Sequence, residues 1–384
     1  LHGADRSRHW LGSVHPPAGS ESLVVLVYGD NRPGYRIETR SVEFRAVRNL
    51  TWNAPEHWLR GLAYLPVLLV EAIIPTLDGP RDVVTRFTHR FAGGREKGVL
   101  KALEPRSTAQ LVINLGDLVT DGRRGWLWEK FVTRHASLRR RALYLATPGN
   151  HERTWAELGR ANWDAAMGEP AEPLRYWYAV EVPEASARFV FLDSSLLGDR
   201  RENYPDSLED ALSNEQLAWA DSVLDHSGRF RFVLLHHPLV SAGHHIDDWR
   251  SDQAARRLAR LLEMCVKRRV TAVLASHEHL YQRVYLRAPE GAGFWQLTTG
   301  GGGSPLYHVS PRGWREALSR PLAAGLSVDL DSAFKKSEYH ICRLALPLSP
   351  SAPASVPVEV DRVYANGSTR RIDAFDLAQP PSRR

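Results

Sequence analysis

Six short apolar runs constrain this 384-residue chain most strongly, because each stops at a polar side chain that can bind a metal or transfer a proton. The first run, LVVLVY (23–28), is followed by Gly29 and Asp30. Runs of this length that are bounded by turn residues are typical of buried strands. The other five runs end at Asp117, at Asn150, His151 and Glu152, at Asp193, at His236 and His237, and at His277 and His279.

The ends of these predicted strands are expected to lie close together. Open sheets bind ligands at the carboxyl ends of their strands, where the loops meet. Carboxylate, amide and imidazole groups suit Zn, Mn or Fe better than a metal that prefers thiolates. A salt bridge within a loop, such as one between Asp30 and Arg32, could explain the polar residue at the end of any single strand. It does not explain why all six predicted strands end in such residues. The sequence therefore predicts an α/β protein with a metal site at the carboxyl ends of its strands.

Five motifs, taken in order, resemble a known family. They are GD (29–30), GDLV (116–119), GNHE (149–152), VLLHH (233–237) and SHEH (276–279). This order is similar to that of the calcineurin-like metallophosphoesterases, in the branch that includes the purple acid phosphatases. The resemblance implies a four-layer α/β/β/α fold, in which a β-sandwich of two sheets is flanked by helices and carries two metal ions at one edge.

The resemblance also implies a role for each matching residue. The implied metal ligands are Asp30, Asp117, Asn150, His236, His277 and His279. Asp30 and His279 would bind the first ion, Asp117 would bridge both ions, and the other three would complete the second site. His151 matches a family residue that binds no metal and faces the leaving group of the substrate.

Phosphate-ester chemistry requires these residue types independently of the family. Two cations about 3.5–4 Å apart lower the pKa of bound water and hold the attacking and leaving oxygens. An uncoordinated histidine such as His151 is suited to act as the general acid. We therefore predict a metal-dependent hydrolase of phosphate esters that uses two divalent or trivalent ions (Zn, Mn or Fe), a metal-activated hydroxide and a phosphorylated small-molecule substrate.

Two positions depart from the family pattern. Arg32 stands where the commoner first motif has a histidine ligand, and Thr120 stands where purple acid phosphatases have a tyrosine. The first metal site is therefore expected to be weak, water-filled or selective for a different ion. A guanidinium cannot ligate a cation, but it can donate two parallel hydrogen bonds to a substrate phosphate or to a ligand carboxylate. Arg32 is thus a candidate catalytic and substrate-binding residue, and a structural pair with Asp30 or Asp121 is the alternative.

Two loops downstream are also candidates for the site. SAGHHIDDWRSD (241–252) follows the VLLHH motif, and His244 or His245 could contact the substrate phosphate, unless the loop is simply solvated. The run Gly300–Gly303 is not followed by Lys-Ser/Thr, so it predicts a tight turn beside the metal site rather than a P-loop.

Other functions compete with hydrolysis. The missing first-metal ligands favour a non-catalytic or single-metal protein that binds a phosphorylated or lipid ligand. The net charge of +6 and the pI near 9.4 permit a nuclease. No basic tract is interleaved with aromatic residues, so there is no specific nucleic-acid signal. A solvated basic surface that attracts phosphorylated substrates is the simpler interpretation.

The motifs predict one domain over residues 23–377, with an N-terminal arm at 1–22, a tail at 378–384 and a helical apolar insertion at about 50–95. The segment 57–79 of this insertion is interrupted by Pro66 and Glu71, so its apolar part is shorter than the roughly 20 residues that span a bilayer. It could form a buried lid, a membrane-surface anchor or a dimer contact. The anchor would accompany an exported or membrane-peripheral location.

Overall fold

The computed structural model describes residues 10–32, 95–104, 109–153, 156–168, 174–198, 206–225, 228–289, 291, 293–349, 351–352 and 354–377. The predicted insertion, apart from Arg95, lies outside the described residues, as do the segment 57–79, residues 1–9 of the arm and the tail at 378–384. The lid, anchor and dimer interpretations of 57–79 therefore stay predictions.

The larger sheet has eight strands among the described residues, in the order β1-β5-β6-β7-β8-β10-β9-β11. These strands are β1 (Trp10–Ser13), β5 (Tyr178–Val182), β6 (Ala187–Phe191), β7 (Phe230–Leu234), β8 (Ala272–Ala275), β9 (Tyr281–Arg287), β10 (Gly293–Thr299) and β11 (Ser327–Lys336). The central strands β6, β7, β8 and β10 run parallel to one another. Residues 10–13 of the predicted arm thus form an edge strand, which pairs with β5.

The smaller sheet has six strands in the described part of the chain, in the order β14-β13-β12-β2-β3-β4. These strands are β2 (Ser22–Tyr28), β3 (Leu111–Asn114), β4 (Leu143–Ala146), β12 (His340–Pro347), β13 (Pro357–Val363) and β14 (Thr369–Asp376). Strands β2, β3 and β4 are parallel, so the loops that carry the first three motifs leave the sheet at the same edge.

The helices cover the outer faces of the sheets. The described helices are α1 (Glu96–Leu103), α2 (Gly125–Arg141), α3 (Asn150–Arg153), α4 (Ala156–Met167), α5 (Asp206–Leu224), α6 (Asp252–Lys267) and α7 (Pro311–Leu318), with 3₁₀ turns at Pro183–Ala185, Ser194–Leu196 and Ala323–Gly325. Helix α6 begins after Ser251, whose hydroxyl accepts a hydrogen bond from the backbone N–H of Ala254, as N-cap serines do. None of the described helices combines the length and the apolar character needed to cross a bilayer.

The packing of β2 shows how the four layers are built. Leu23, Val25 and Val27 point into the core between the two sheets, where they join Phe189, Phe232 and other residues of the larger sheet. Val24, Leu26 and Tyr28 point the other way and pack against α1. A strand that is buried on both faces needs an unbroken apolar run, which is the pattern seen in the sequence. Helices α5 and α6 cover the far face of the larger sheet. The predicted fold class, two sheets flanked by helices, is confirmed.

Candidate metal centre

The loops after β2, β3, β7 and β8 meet at one edge of the sandwich. The backbone N–H of Asp30 donates to the carbonyl of Gly116, and the N–H of Ser276 donates to the carbonyl of His236, both at 3.0 Å. The N–H of His277 donates to Oδ2 of Asp30 at 2.7 Å. The side chains of five of the six predicted strand ends therefore come together.

Asp193, at the end of β6, is the exception. One oxygen of its carboxylate accepts a hydrogen bond from the backbone N–H of Ser195 at 3.1 Å, so the side chain caps the 3₁₀ turn that follows the strand. A carboxylate is a good cap for the turn next to it, so this strand end has a local role, and its contribution to the site stays a prediction.

Three candidate ligands have an uncommon backbone conformation. Asp30, Asp117 and His277 lie in the left-handed region, with φ of 57°, 56° and 66°. Residues other than glycine rarely occupy this region, and each such residue costs on the order of 1–3 kcal/mol. The conformation turns each side chain from the end of its strand towards the shared edge. Such conformations cluster at functional sites, which supports a functional role for this edge.

Glu152 holds two of these loops together. Its Oε2 accepts hydrogen bonds from the backbone N–H groups of Asp117 at 2.8 Å and of Gly149 at 2.7 Å, and its Oε1 accepts one from Val119 at 3.0 Å. Burial and then the charge of Asp117 raise the pKa of Glu152 to about 8. A Cβ atom added to Gly149 would lie 2.3 Å from Oδ1 of Asp117, so only glycine allows this approach. Glu152 therefore positions the backbone around Asp117.

One half of the site gathers around Oδ1 of Asp117. Nε2 of His236 lies 3.4 Å from Asp117 Oδ1, 3.0 Å from Oδ1 of Asn150 and 3.0 Å from Nδ1 of His277. All of these side chains are buried. We call the side chains of Asp117, Asn150, His236 and His277 the imidazole-rich half.

The far side of each imidazole in this half is held by a protein group. Nδ1 of His236 donates to the carbonyl of Leu115 at 2.8 Å, which leaves Nε2 with a lone pair directed at the other ligand atoms. Nε2 of His277 lies 2.9 Å from Oδ2 of Asp248. Metal-binding histidines are commonly oriented in this way by a carbonyl or a carboxylate. Asp248 was not predicted from the sequence, because only the fold brings it to His277.

The donor atoms of the imidazole-rich half fit a metal ion. Three of them, Asn150 Oδ1, His236 Nε2 and Asp117 Oδ1, are acceptors with no hydrogen to share, and His236 Nε2 lies 3.0–3.4 Å from the other two. A cation placed among them would replace this repulsion by coordination. Mixed oxygen and imidazole donors match the preferences of Zn, Mn and Fe.

The other half of the site gathers around Oδ2 of Asp117, and we call it the arginine half. Nη2 of Arg32 donates to Asp117 Oδ2 and lies 3.2 Å from Nε2 of His279 and 3.7 Å from Oδ1 of Asp30. The side chain of Arg32 is 7% exposed. Of the two structural partners considered for it, Asp30 is near, whereas Asp121 pairs with Arg123 at 2.7 Å. Its contact with a substrate phosphate stays a prediction.

The charge of Arg32 shapes the titration of this half. Burial and then the Arg32 charge lower the pKa of His279 to about 3, so its imidazole is neutral, and Nδ1 donates to the carbonyl of Pro305 at 2.7 Å. Burial raises the pKa of Asp30 to about 8. Burial would also raise the pKa of Asp117, but the charge of Arg32, the largest opposing effect, holds it well below its ordinary value. Asp117 is therefore the permanent anion of the site.

His151 lies at the edge of both halves. Its Nδ1 donates to the carbonyl of Thr120 at 2.6 Å, and its Nε2 lies 3.9 Å from Oδ2 of Asp117. Its own backbone N–H donates to Oδ1 of Asp117 at 3.1 Å. The imidazole is thus oriented with Nε2 towards the site, where a proton could be passed to a bound substrate.

The two downstream loops cover the site. The ring of His245 lies against that of His277, with centroids 3.8 Å apart, and its Nε2 is 3.3 Å from the hydroxyl of Tyr307. Tyr307 also stacks on His279 at 4.2 Å, so it connects His245 to the arginine half. The role of His245 in substrate binding stays a prediction. The glycine run lies beside the site, as predicted, since a Cβ on Gly300 would lie 2.7 Å from Oδ2 of Asp30.

The family resemblance inferred from the motifs is supported by a family profile. The family profile described as calcineurin-like phosphoesterase matches residues 94–281, a range that includes every predicted metal ligand except Asp30. None of the curated proteins matches the chain.

A solved structure shows the same fold. The purple acid phosphatase PPD1 from yellow lupin (Lupinus luteus) is 15% identical, with a TM-score of 0.60 over 95% of this chain and 57% of that one. The chain therefore spans little more than half of that protein. GAP50, the anchor in the inner membrane complex of Plasmodium, is 14% identical, with a TM-score of 0.49 over 93% of this chain and 89% of that one. The resemblance inferred from the strand-end motifs is confirmed, since residues 94–281 match the calcineurin-like phosphoesterase profile.

Proposed function

We propose that the protein hydrolyses phosphate esters in a metal-dependent reaction at this edge of the sandwich. The observation that carries the proposal is the imidazole-rich half, where Asp117, Asn150, His236 and His277 direct acceptor atoms at one another in a buried position. When bound, an ion of the Zn, Mn or Fe class supplies Lewis acidity and lowers the pKa of water, so that hydroxide is available at neutral pH.

The side chains around that half have the roles that in-line displacement at phosphorus requires. His151 would give the proton on Nε2 to the leaving oxygen, while the Thr120 carbonyl keeps the ring in place through Nδ1. Arg32 would neutralise charge on the phosphate, because a guanidinium combines several N–H donors with a permanent positive charge. His245, beside His277, would contact the substrate. The expected substrate is a phosphorylated small molecule.

The resemblance predicts a second ion between Asp30, Asp117 and His279, and a hydroxide activated by both ions. That version of the mechanism needs a cation where Arg32 now contacts the same three residues. Hydrolysis with one ion requires only the imidazole-rich half. Both versions share Asp117 and His151.

Turnover by metal-reconstituted protein tests the proposal. The chain is stripped with a chelator, reloaded separately with Zn, Mn, Fe, Co or Ni, and assayed with p-nitrophenyl phosphate and bis-p-nitrophenyl phosphate. We expect hydrolysis of at least one substrate that depends on the added metal, and the ratio of the two rates separates monoesterase from diesterase activity. Binding of metal and inorganic phosphate without turnover under all conditions would overturn the proposal in favour of a non-catalytic binding protein.

A further inference from the structure

We propose that the guanidinium of Arg32 is the built-in cation of the arginine half, so that the protein binds one metal ion and not two. This inference rests on the proposed metal-dependent function and specifies the composition of its centre.

The two halves differ in whether a fixed positive charge already contacts their acceptor atoms. In the arginine half, Nη2 of Arg32 donates to Oδ2 of Asp117 and lies within hydrogen-bond distance, 3.2 Å, of the lone pair of His279. These are two of the three groups that an ion there would need. In the imidazole-rich half, Oδ1 of Asp117 accepts the backbone N–H of His151, and Nε2 of His236 lies 3.0–3.4 Å from Oδ1 of Asn150 and Oδ1 of Asp117. The first half therefore already contains a fixed cation, whereas the acceptor atoms of the second are grouped around Nε2 of His236 as the ligands of a metal ion would be.

Arg32 is held in this position by its backbone as well as by its side chain. Its N–H donates to the carbonyl of Asp117 at 3.1 Å, so the residue is tied to the same loop as the carboxylate that it contacts. The side chain is 7% exposed, and Oδ1 of Asp30 lies 3.7 Å from Nη2. To admit an ion, the guanidinium would have to leave a buried place between two carboxylates.

The charge of Arg32 does not depend on conditions. A guanidinium stays protonated in proteins, so neither a chelator nor a change of pH removes this cation. A metal ion a few ångströms away in the same half would be repelled by it. In the imidazole-rich half, by contrast, an ion would be held through Oδ1 of Asp117, while the guanidinium contacts Oδ2. The carboxylate would therefore separate the ion from the guanidinium. One carboxylate would thus serve one exchangeable cation and one permanent cation.

Metal stoichiometry measured on the intact protein tests this inference. The chain is titrated with Mn²⁺, bound metal is quantified by elemental analysis, and the electron paramagnetic resonance spectrum is recorded. We expect one Mn²⁺ per chain and the spectrum of an isolated ion. Two ions bridged by one carboxylate would lie about 3.5–4 Å apart, and their coupling would change that spectrum.

Variants of Arg32 sharpen the test. Arg32→His removes the fixed cation and supplies an imidazole, so we expect a second Mn²⁺ and a coupled spectrum. Arg32→Lys keeps the charge and should still bind one ion. Arg123→His is the matched control, because Arg123 belongs to the neighbouring loop and pairs with Asp121, and it should also bind one ion.

The outcomes separate this inference from the proposed function. Two coupled ions in the unmodified protein would overturn the inference and leave metal-dependent hydrolysis standing. No bound metal with any ion tested would overturn both. A folded Arg32→His variant that still binds one ion would overturn the role given to the guanidinium. If that variant does not fold, the stoichiometry of the unmodified protein still decides the matter.

Discussion

The two halves of the site share one carboxylate and nearly the same kinds of ligand, yet they differ in what faces that carboxylate. Oδ1 of Asp117 faces the lone pair of His236, whereas Oδ2 faces the guanidinium of Arg32. Oxygen and imidazole acceptors are present on both sides. Ligand types alone therefore do not define a metal site, because a neighbouring hydrogen-bond donor can occupy the same acceptor atoms.

One imidazole in each half, His236 and His279, is oriented in the same way. Nδ1 of His236 donates to the carbonyl of Leu115, and Nδ1 of His279 donates to the carbonyl of Pro305. Each ring therefore directs the lone pair of Nε2 into the site. The difference between the halves must then come from Arg32, and substitutions on either side of Asp117 can test it.

The largest effect is expected from Asp117→Asn, which changes both halves at once. The side-chain amide of asparagine has one acceptor oxygen instead of two and carries no charge to balance two cations. Turnover should therefore fall to background, and bound metal should decrease. Steady-state kinetics and elemental analysis measure this. Asp121→Asn is the control, since Asp121 pairs with Arg123 and Arg124 in the same loop. Turnover close to that of the unmodified protein in Asp117→Asn would show that the halves do not depend on their shared carboxylate.

The next largest effect is the difference in metal affinity that we expect between His236→Ala and Asp30→Asn. The first removes a donor from the imidazole-rich half and should weaken metal binding by more than the roughly 10–100-fold that loss of an orienting partner costs. The second changes the arginine half, where the oxygen of the new amide could still accept the hydrogen bond that the N–H of His277 donates. We expect this variant to keep its ion in calorimetric titration. Equal loss of affinity in both variants would remove the distinction between the halves.

His151→Ala should affect turnover without distinguishing the halves, because the residue is assigned to proton transfer. We expect a decrease in kcat of about 10²–10⁴-fold with unchanged metal content. The decrease should be smaller for substrates with good leaving groups, such as nitrophenolate. His308→Ala, which changes an exposed histidine, is the control. A loss of the same size for every leaving group would argue against the acid role.

The smallest effect is expected from Asp248→Asn, which acts on the imidazole-rich half through His277. Loss of the carboxylate 2.9 Å from Nε2 of His277 should lower metal affinity by roughly 10–100-fold. Asp247→Asn is a matched control, because Asp247 is the adjacent residue, is largely exposed and lies 3.8 Å from Arg250. Metal affinity that is the same in both variants would show that Asp248 does not orient His277.

Much of the fold could be predicted from the sequence. The buried strands are visible as apolar runs because β2 and its neighbours are covered on both faces. The hairpin of β13 and β14 turns at Asn366 and Gly367, a residue pair that is typical of hairpin turns. Gly367 has a φ of 89°, a conformation that glycine adopts readily. The strand order of the sheets, and the edge strand β1 in the N-terminal arm, were not visible, because pairing joins segments that are distant in the chain.

The site could be predicted in part. The residue types at the strand ends and their family order identified the side chains that the structure brings together. The capping role of Asp193 and the contact of Asp248 with His277 were missed, since a carboxylate in a sequence does not reveal what it faces. No local pattern distinguishes a capping aspartate from a ligand when both follow a strand.

The sequence by itself determined the chemistry available to this protein: buried strands that end in carboxylate, amide and imidazole groups, and an arginine in place of a ligand. Only the tertiary structure decided how these groups are paired. It placed Arg32 on Oδ2 of Asp117, a residue 85 positions away, and it gave Asp30 and Asp117 left-handed backbones that direct their side chains to one edge. The physical reason is that distances between residues far apart in the chain depend on backbone angles and sheet pairing, which residue type alone does not specify.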